Sequence, residues 1–246
     1  DAGMHLNEVF SPDGEWVMVT TLDKPFSYTV PYYSFPDKTD IYSSEGEFQL
    51  NFSKQPLLDN LPVGFMSTYE GKRGIRWRSD KPATLAWVEA LDNGDTAVEA
   101  EYRDELFQVD APFTGNPESL MKTINRFSTV IWGNDNNAFV IDRWWNTRNM
   151  KAYLFNPSNP SEETRLVYDI NYQDVYNNPG SPQTEKNEFG KYVLKIDGNN
   201  AYLFGDGYTL EGQFPFIDEL NLETLQTNRI YQSPYTDCAE NLISFI

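Results

Sequence analysis

Turn-forming residues recur along the whole chain and divide it into short segments. The sequence contains 15 Gly and 15 Pro, with Asn and Asp around many of them. Asp-Gly and Asn-Gly tolerate the positive φ of tight hairpin turns. Helical periodicity is nearly absent between the turns, and β-branched and aromatic residues are common there. The pattern predicts an all-β protein built from antiparallel hairpins.

About sixteen short segments have the composition of strands. The clearest are Thr84–Glu89, Asp104–Val109, Ala138–Trp144, Met150–Phe155, Lys191–Ile196 and Ala201–Gly205. The stretch Pro117–Thr123 fits either a turn of helix or a strand.

A weak repeat organises these segments. Each unit has a short strand, an Asp/Asn/Gly turn and a more apolar strand, and the turns centre on Asp13, Asp80, Asp135 and Asp197. Successive turns are about 55 to 67 residues apart, which fits four-stranded β-propeller blades with insertions. We predict a β-propeller of antiparallel blades, about four to five of them in this chain, with the inner strand first in each.

The two termini predict that the chain is part of something longer. Asp1-Ala2-Gly3 has neither an initiator Met nor a signal peptide. Asn241–Ile246 reads as the first strand of another blade, and a domain does not normally stop on an unpaired apolar strand. Residues 1–246 are therefore interpreted as one partial propeller domain.

Composition excludes several functions. The aromatic content of 15% can supply a large core, whereas a net charge of -18 disfavours nucleic acid and anionic membranes. One Cys and one His exclude a disulfide framework, a multi-cysteine zinc site and a two-histidine metal site. We predict no metal and no cofactor. Without a Gly-x-Ser-x-Gly motif, we also predict no catalytic residue in this chain.

Three weaker patterns are explained better by ordinary structure than by function. The carboxylate pairs Glu45/Glu47, Glu99/Glu101 and Asp104/Glu105 could do glycosidase-type acid–base work, but solvated strand faces explain them better. Oxygen-rich turns lack the spacing of a calcium loop. Exposed aromatic residues could stack on sugars or grip peptides, although packing between blades is the more frequent use. These are Tyr28, Tyr32, Tyr33, Phe35 and the pair Trp144-Trp145.

Five arginines stand out in so acidic a chain. In a predicted strand over Gly74–Arg78, Arg76 and Arg78 would share a face, with Arg73 at the end of the strand. Arg143 and Arg148 flank the Trp pair. Arginine binds carboxylates through two parallel hydrogen bonds, so these side chains could receive an acidic group of a substrate. Pairing with the chain's own Asp and Glu residues is the alternative.

Three stretches resemble the N-terminal propeller of glutamyl-endopeptidase-like members of the prolyl oligopeptidase superfamily. They are Lys24–Pro36, then Gly74–Ala90 with Gly94-Asp95, and Arg143–Arg148. Lys24 and Asn146 depart from the residues that this family pattern leads us to expect.

The resemblance implies a two-domain serine peptidase. A C-terminal α/β-hydrolase domain, not contained in this chain, would carry the catalytic Ser, Asp and His. The propeller would restrict access and contribute to recognition of a peptide substrate, with cleavage after Glu as one possibility. The hypothesis for this chain is that some of the five arginines receive the acidic side chain.

Two other functions stay open at this stage. One is a non-catalytic propeller that binds a glycan or a protein partner on its aromatic loops, and the other is a propeller glycosidase. The terminal sequence, the composition and the habit of the family together favour a periplasmic or secreted location.

Overall fold

Residues 3–243 are described in the computed structural model, and within them the regular structure is almost entirely β. They form nineteen strands and one 3-10 helix, Tyr32–Ser34. The prediction of an all-β protein is confirmed. No helix among these residues is long and apolar enough to cross a membrane.

The chain divides into two compact units, residues 1–124 and 125–246. The first contains two four-stranded antiparallel sheets, in which each strand pairs with the next in sequence. Sheet 1 has β1 (Met4–Phe10), β2 (Trp16–Leu22), β3 (Asp37–Ser43) and β4 (Phe48–Gln55). Sheet 2 has β5 (Arg73–Trp77), β6 (Thr84–Ala90), β7 (Asp104–Asp110) and β8 (Glu118–Thr123).

The second unit repeats this plan. Sheet 3 has β9 (Arg126–Trp132), β10 (Ala138–Trp144), β11 (Asn149–Phe155) and β12 (Arg165–Asn171). In sheet 4 two short strands take the place of a single first strand. They are β13 (Ser181–Pro182) and β16 (Ile196–Asp197), and both pair with β17 (Asn200–Gly205). Strands β18 (Phe216–Asn221) and β19 (Thr227–Gln232) complete it, and the hairpin of β14 (Thr184–Lys186) and β15 (Tyr192–Leu194) interrupts its first position.

The core of each unit packs between its two sheets. In the first unit, Met18 and Ile41 of sheet 1 join Leu85, Trp87 and other residues of sheet 2 in one cluster. In the second, residues of sheets 3 and 4 form the corresponding cluster. In sheets 2 and 3 the second strand is buried on both faces over most of its length, as the burial of residues 84–88 and 138–142 shows, whereas β2 of sheet 1 is mostly half-buried. This burial explains why the strand after the turn is the more apolar one in sheets 2 and 3.

The predicted repeat corresponds to the four sheets. The turns at Asp13, Asp80 and Asp135 join the first and second strands of sheets 1, 2 and 3, and Gly198 joins β16 to β17. Sheets 1, 2 and 3 are four-stranded antiparallel propeller blades, and sheet 4 has the same plan with its first strand divided between β13 and β16. Residues 3–243 therefore contain four blades.

Three details differ from the prediction or go beyond it. Residues 118–123 form β8, so the strand alternative is the right one there. The predicted strand Lys191–Ile196 is divided between β15 and β16. Residues 241–243 have no regular structure, and the rest of the predicted terminal strand, residues 244–246, lies outside the described residues.

Candidate recognition site

Long connections gather at one end of each sheet in the first unit. We call this the long-loop end, where the second strand ends and the third begins. It carries the connections 23–36, 56–72 and 91–103. The opposite end has only the shorter connections 11–15, 44–47, 78–83 and 111–117. Because functional residues concentrate on loops that a rigid scaffold positions, the long-loop end is the candidate site.

A buried aspartate and a glycine fix the connection 91–103. Asp92 accepts hydrogen bonds from the Arg103 guanidinium at 2.8 Å and from the Gly94 N–H at 3.1 Å. Gly94 has a φ of +71°, and a Cβ there would lie 2.1 Å from the Thr68 carbonyl oxygen. Only glycine fits this turn, which holds the connection against 56–72.

Arg73 and Arg78 are both engaged by carboxylates. Arg73 forms an ion pair with Asp104, whose side chain is fully buried. Arg78 is itself buried, and its guanidinium donates to both carboxylate oxygens of Asp80, at 3.0 and 2.6 Å, and to Gln108. The alternative of pairing with the chain's own acids therefore describes these two residues, and Arg78 ties the β5–β6 turn to β7.

Arg76 differs from its two neighbours. It is exposed on β5, an edge strand of sheet 2, while Ile75 and Trp77 on either side pack against the core. No ion pair or hydrogen bond involves its side chain within residues 3–243. Its charge is therefore available to a ligand.

Arg143 lies on β10 and Arg148 is the last residue of the short β10–β11 connection, at the end of sheet 3 where the second strand ends and the third begins. The Arg143 guanidinium lies 5.7 Å from the Tyr172 ring centroid, and its Nε donates to the Met150 sulfur at 3.3 Å. Arg148 lies 4.0 Å above the Trp145 ring and donates to the Trp145 carbonyl oxygen. Among the described residues, neither arginine forms an ion pair. Cation–π contacts orient both side chains without neutralising them.

The carboxylate of Asp142 anchors this part of sheet 3. It is completely buried and accepts hydrogen bonds from the Asn125 N–H at 3.0 Å, the Asn125 Nδ2 at 2.9 Å and the Tyr153 hydroxyl at 3.1 Å. Burial raises its pKa, although these hydrogen bonds act in the opposite direction. Because Arg143 is the next residue, the network fixes the strand from which Arg143 projects. Burial also raises the pKa of Tyr168 to about 12, and Arg143 opposes that shift.

A second polar cluster lies at the long-loop end of the first unit. The Lys72 ammonium group donates to the Phe52 carbonyl oxygen at 3.0 Å and lies 3.9 and 4.9 Å from the Phe52 and Trp87 ring centroids. Burial lowers the pKa of Lys72, and the charge of Glu89 partly restores it. Sequence reasoning missed this cluster, because the aromatic partners lie far from Lys72 in the chain.

Asp37 gives this end of sheet 1 a testable pH dependence. Burial raises its pKa from 3.8 to about 6, so the folded state holds a proton that the unfolded chain has released. Its stabilising contribution is complete below pH 4 and is lost as the pH rises through about 6. We expect Asp37→Asn to raise the free energy of unfolding by about 1–2 kcal/mol at pH 7, after discounting for solvent screening.

Urea unfolding of wild type and Asp37→Asn at pH 4 and pH 7 measures this difference. The two proteins should have similar stability at pH 4 and should diverge as the pH rises. Asp59→Asn, at an exposed aspartate, is the control and should leave the pH profile unchanged. A wild-type profile that matched Asp37→Asn at both pH values would contradict the prediction.

The other sequence candidates have ordinary structural surroundings. Glu45, Glu47, Glu99 and Glu101 are exposed, and Glu105 accepts a hydrogen bond from Ser119. His5 is exposed, with its Nδ1 3.2 Å from the Thr21 hydroxyl. In the part of the chain that is described, no group of three or more His, Cys, Asp or Glu side chains could hold a metal ion.

Comparison with known proteins identifies relatives along almost the whole chain. No family model matches it. The "Probable glutamyl endopeptidase, chloroplastic" of Oryza sativa subsp. japonica is 35% identical over 243 residues, and the protein of that name from Arabidopsis thaliana is 32% identical over 244. Each alignment covers 96% of this chain but only 26% and 25% of the two relatives. The chain thus spans about a quarter of their length.

A solved structure gives a weaker likeness. The β-propeller domain of the Trilobed protease from Pyrococcus furiosus is 9% identical, with a TM-score of 0.49 over 95% of this chain and 59% of that one. The fold assignment therefore rests on the sheets themselves. Four antiparallel meanders repeated along one chain define a β-propeller region. By sequence, this propeller region is similar along 96% of its length to two proteins named glutamyl endopeptidase.

Proposed function

We propose that this chain is the N-terminal propeller of a serine peptidase of the prolyl oligopeptidase type. The likeness to proteins named glutamyl endopeptidase over 96% of the chain carries the proposal. A C-terminal α/β-hydrolase domain of the same protein supplies the nucleophile, and the propeller restricts access to it. The peptide substrate is the partner, and cleavage follows Glu.

Three arginines support a role in recognition of an acidic side chain. Arg76 in the first unit, and Arg143 and Arg148 in the second, have no carboxylate partner among residues 3–243, although the chain contains 37 acidic residues. A guanidinium left without an acid in so acidic a chain is suited to a carboxylate from outside. Arg73 and Arg78 instead hold the first unit together, so we leave them out of the recognition set.

The net charge of -18 sets a condition on this role. Long-range repulsion slows the approach of acidic peptides, and salt screens that repulsion. Recognition of Glu therefore depends on short-range contacts with arginine. Moderate salt should increase the association rate while leaving the preference for Glu in place.

A second candidate function is a non-catalytic propeller that binds a glycan or a protein partner. The observation in its favour is the exposure of Tyr28, Tyr32 and Tyr33 in the connection 23–36. Rings of this kind can stack on sugars or on a protein surface.

We further propose that the protein works in the periplasm or outside the cell. Its composition and the habit of the family support this location. The two plant relatives are named as chloroplastic, so the compartment is a point to be measured by fractionation of the source cells.

The full-length natural protein that contains this chain provides the test. We expect it to hydrolyse short peptides that contain Glu, and a serine-directed fluorophosphonate should block this activity. Peptides should be cleaved at least about tenfold faster than the same sequence within a folded protein, since access through a propeller is limited. Residues 1–246 alone are the matched control and should show no hydrolysis.

Two results would count against this function. One is a full-length protein that does not hydrolyse peptides and does not react with the fluorophosphonate. The other is selective binding of an oligosaccharide on a glycan array by residues 1–246, which would favour the second candidate.

A further inference from the structure

An open cavity of about 330 Å³ lies at the long-loop end of sheet 4. It lies between two connections of the second unit, residues 172–180 and 206–215. Tyr176 and Tyr208 line it and are 59% and 40% exposed. The volume is in the range of small-ligand sites and suits a few residues of an extended chain.

Charge in this cavity is already neutralised. Arg229 forms an ion pair with Asp218 through two nitrogens, donates to Gln232, and lies 3.7 Å above the Phe216 ring. Its guanidinium therefore offers little to an anion. The other polar side chains of the lining carry phenol, amide and hydroxyl groups, which suit a neutral polar ligand with hydrogen-bonding groups of its own.

The amide groups are held in place by their own turns. The Asn177 side chain donates to the Asp174 carboxylate at 2.8 Å, and the Asn178 oxygen accepts from the Gly180 N–H at 2.8 Å. A preformed wall of this kind lowers the entropy cost of binding.

The connection 172–180 joins this cavity to the Arg143 and Arg148 cluster. Its first residue, Tyr172, contacts the Arg143 guanidinium, and its N–H donates to the Arg148 carbonyl oxygen at 2.9 Å. Tyr172 and Tyr176 are four positions apart, which is at most about 14 Å of chain. An extended peptide of about four to five residues spans the same distance.

We propose that this cavity is a subsite for the peptide backbone next to an acidic residue of the substrate. The acidic side chain pairs with Arg143 and Arg148, and the neighbouring residues lie along 172–180 against Tyr176 and Tyr208. The inference rests on the proposed function in taking a peptide as the ligand. It adds that binding strength depends on peptide length on one side of the acidic residue.

Calorimetric titration of residues 1–246 tests the subsite. The probes are acetyl-Ala-Glu-amide and two hexapeptides. One hexapeptide adds four neutral residues on the N-terminal side of the dipeptide, and the other adds them on the C-terminal side. One hexapeptide should bind about tenfold tighter than the dipeptide. Tyr176→Ala should reduce that gain about fivefold, the size of one aromatic contact. Tyr192→Ala, at an equally exposed tyrosine of the same unit, should leave the gain intact.

Arg148→Gln separates the subsite from the proposed function. It should weaken all three Glu peptides by a similar factor and preserve the gain from length. If Arg148→Gln had no effect while Tyr176→Ala abolished the gain in affinity from peptide length, the subsite would be supported and the role of Arg148 in binding Glu would be refuted. Three results would each overturn the subsite. The first is that neither hexapeptide binds more tightly than the dipeptide, and the second is that the gain in affinity from peptide length survives Tyr176→Ala. The third is that residues 1–246 bind maltohexaose in place of peptide.

Discussion

Replacing Arg143 and Arg148 together by Gln should lower kcat/KM for a Glu-containing peptide about 10- to 100-fold in the full-length protein. The expected loss corresponds to charge-assisted hydrogen bonds from two guanidinium groups that have no acidic partner among the described residues. The matched peptide with Gln in place of Glu should change less than about twofold, because it presents no carboxylate to these groups.

Two comparisons make this result specific. Lys186→Gln removes a positive charge from an exposed position on β14 of the same unit, away from the β10–β11 connection, and should leave the preference for Glu unchanged. Melting temperatures of the variants should differ by only a few degrees, since Arg143 and Arg148 contribute cation–π contacts but no ion pair to the fold. If the double variant kept its full preference for Glu over Gln, the recognition role of these two arginines would be refuted.

Replacement of Arg78 by Met should cause the largest loss of stability, about 3–5 kcal/mol in the free energy of unfolding. Arg78 is 1% exposed and is the shared partner of Asp80 and Gln108. Its removal leaves the carboxylate of Asp80, itself nearly buried, without its counterion. Removing one partner of a buried ion pair destabilises the fold by more than the intact pair stabilises it, because the remaining charge stays desolvated.

Hydrogen exchange followed by mass spectrometry is the appropriate measurement, since it reports on each unit separately. Peptides from β5, β6 and β7 should lose protection in Arg78→Met, whereas Arg76→Met, two residues away and exposed, should behave like wild type. Arg78→Lys should fall between them, as it keeps the charge but not the two-pronged geometry. Equal protection of the amide hydrogens in Arg78→Met and Arg76→Met would show that the buried network of Arg78 does not stabilise the sheet.

The fold was accessible from sequence because its signals are local. Asp-Gly and Asn-Asn turns, each followed by an apolar strand such as Ala138–Trp144, repeat often enough to reveal the sheets and their strand order. The division of the first position of sheet 4 was not accessible. Short strand-like and turn-like stretches alternate through residues 181–197 as they do in the rest of the chain, so nothing in the sequence distinguishes an insertion from a continuous strand.

The candidate site was accessible only in part, for a similar reason. Sequence singled out five arginines but could not separate Arg78 from Arg76, since Asp80 is close to both in the chain and only the fold brings Gln108, 30 residues away, to Arg78. The Lys72 cluster depends on Phe52 and Trp87 in two different sheets. The cavity beside Tyr176 depends on how two loops pack, which composition does not encode.

The contrast between the two ends of each sheet has a consequence for how such a protein can change. In the first unit, the tight turns and the network of Arg78 lie at one end, and the long connections lie at the other. Residues that decide what is bound can therefore be altered with little effect on the residues that keep the strands in register. A library confined to 23–36, 56–66 and 95–102 should yield a high proportion of folded variants, which makes this unit a natural starting point for engineered binding proteins.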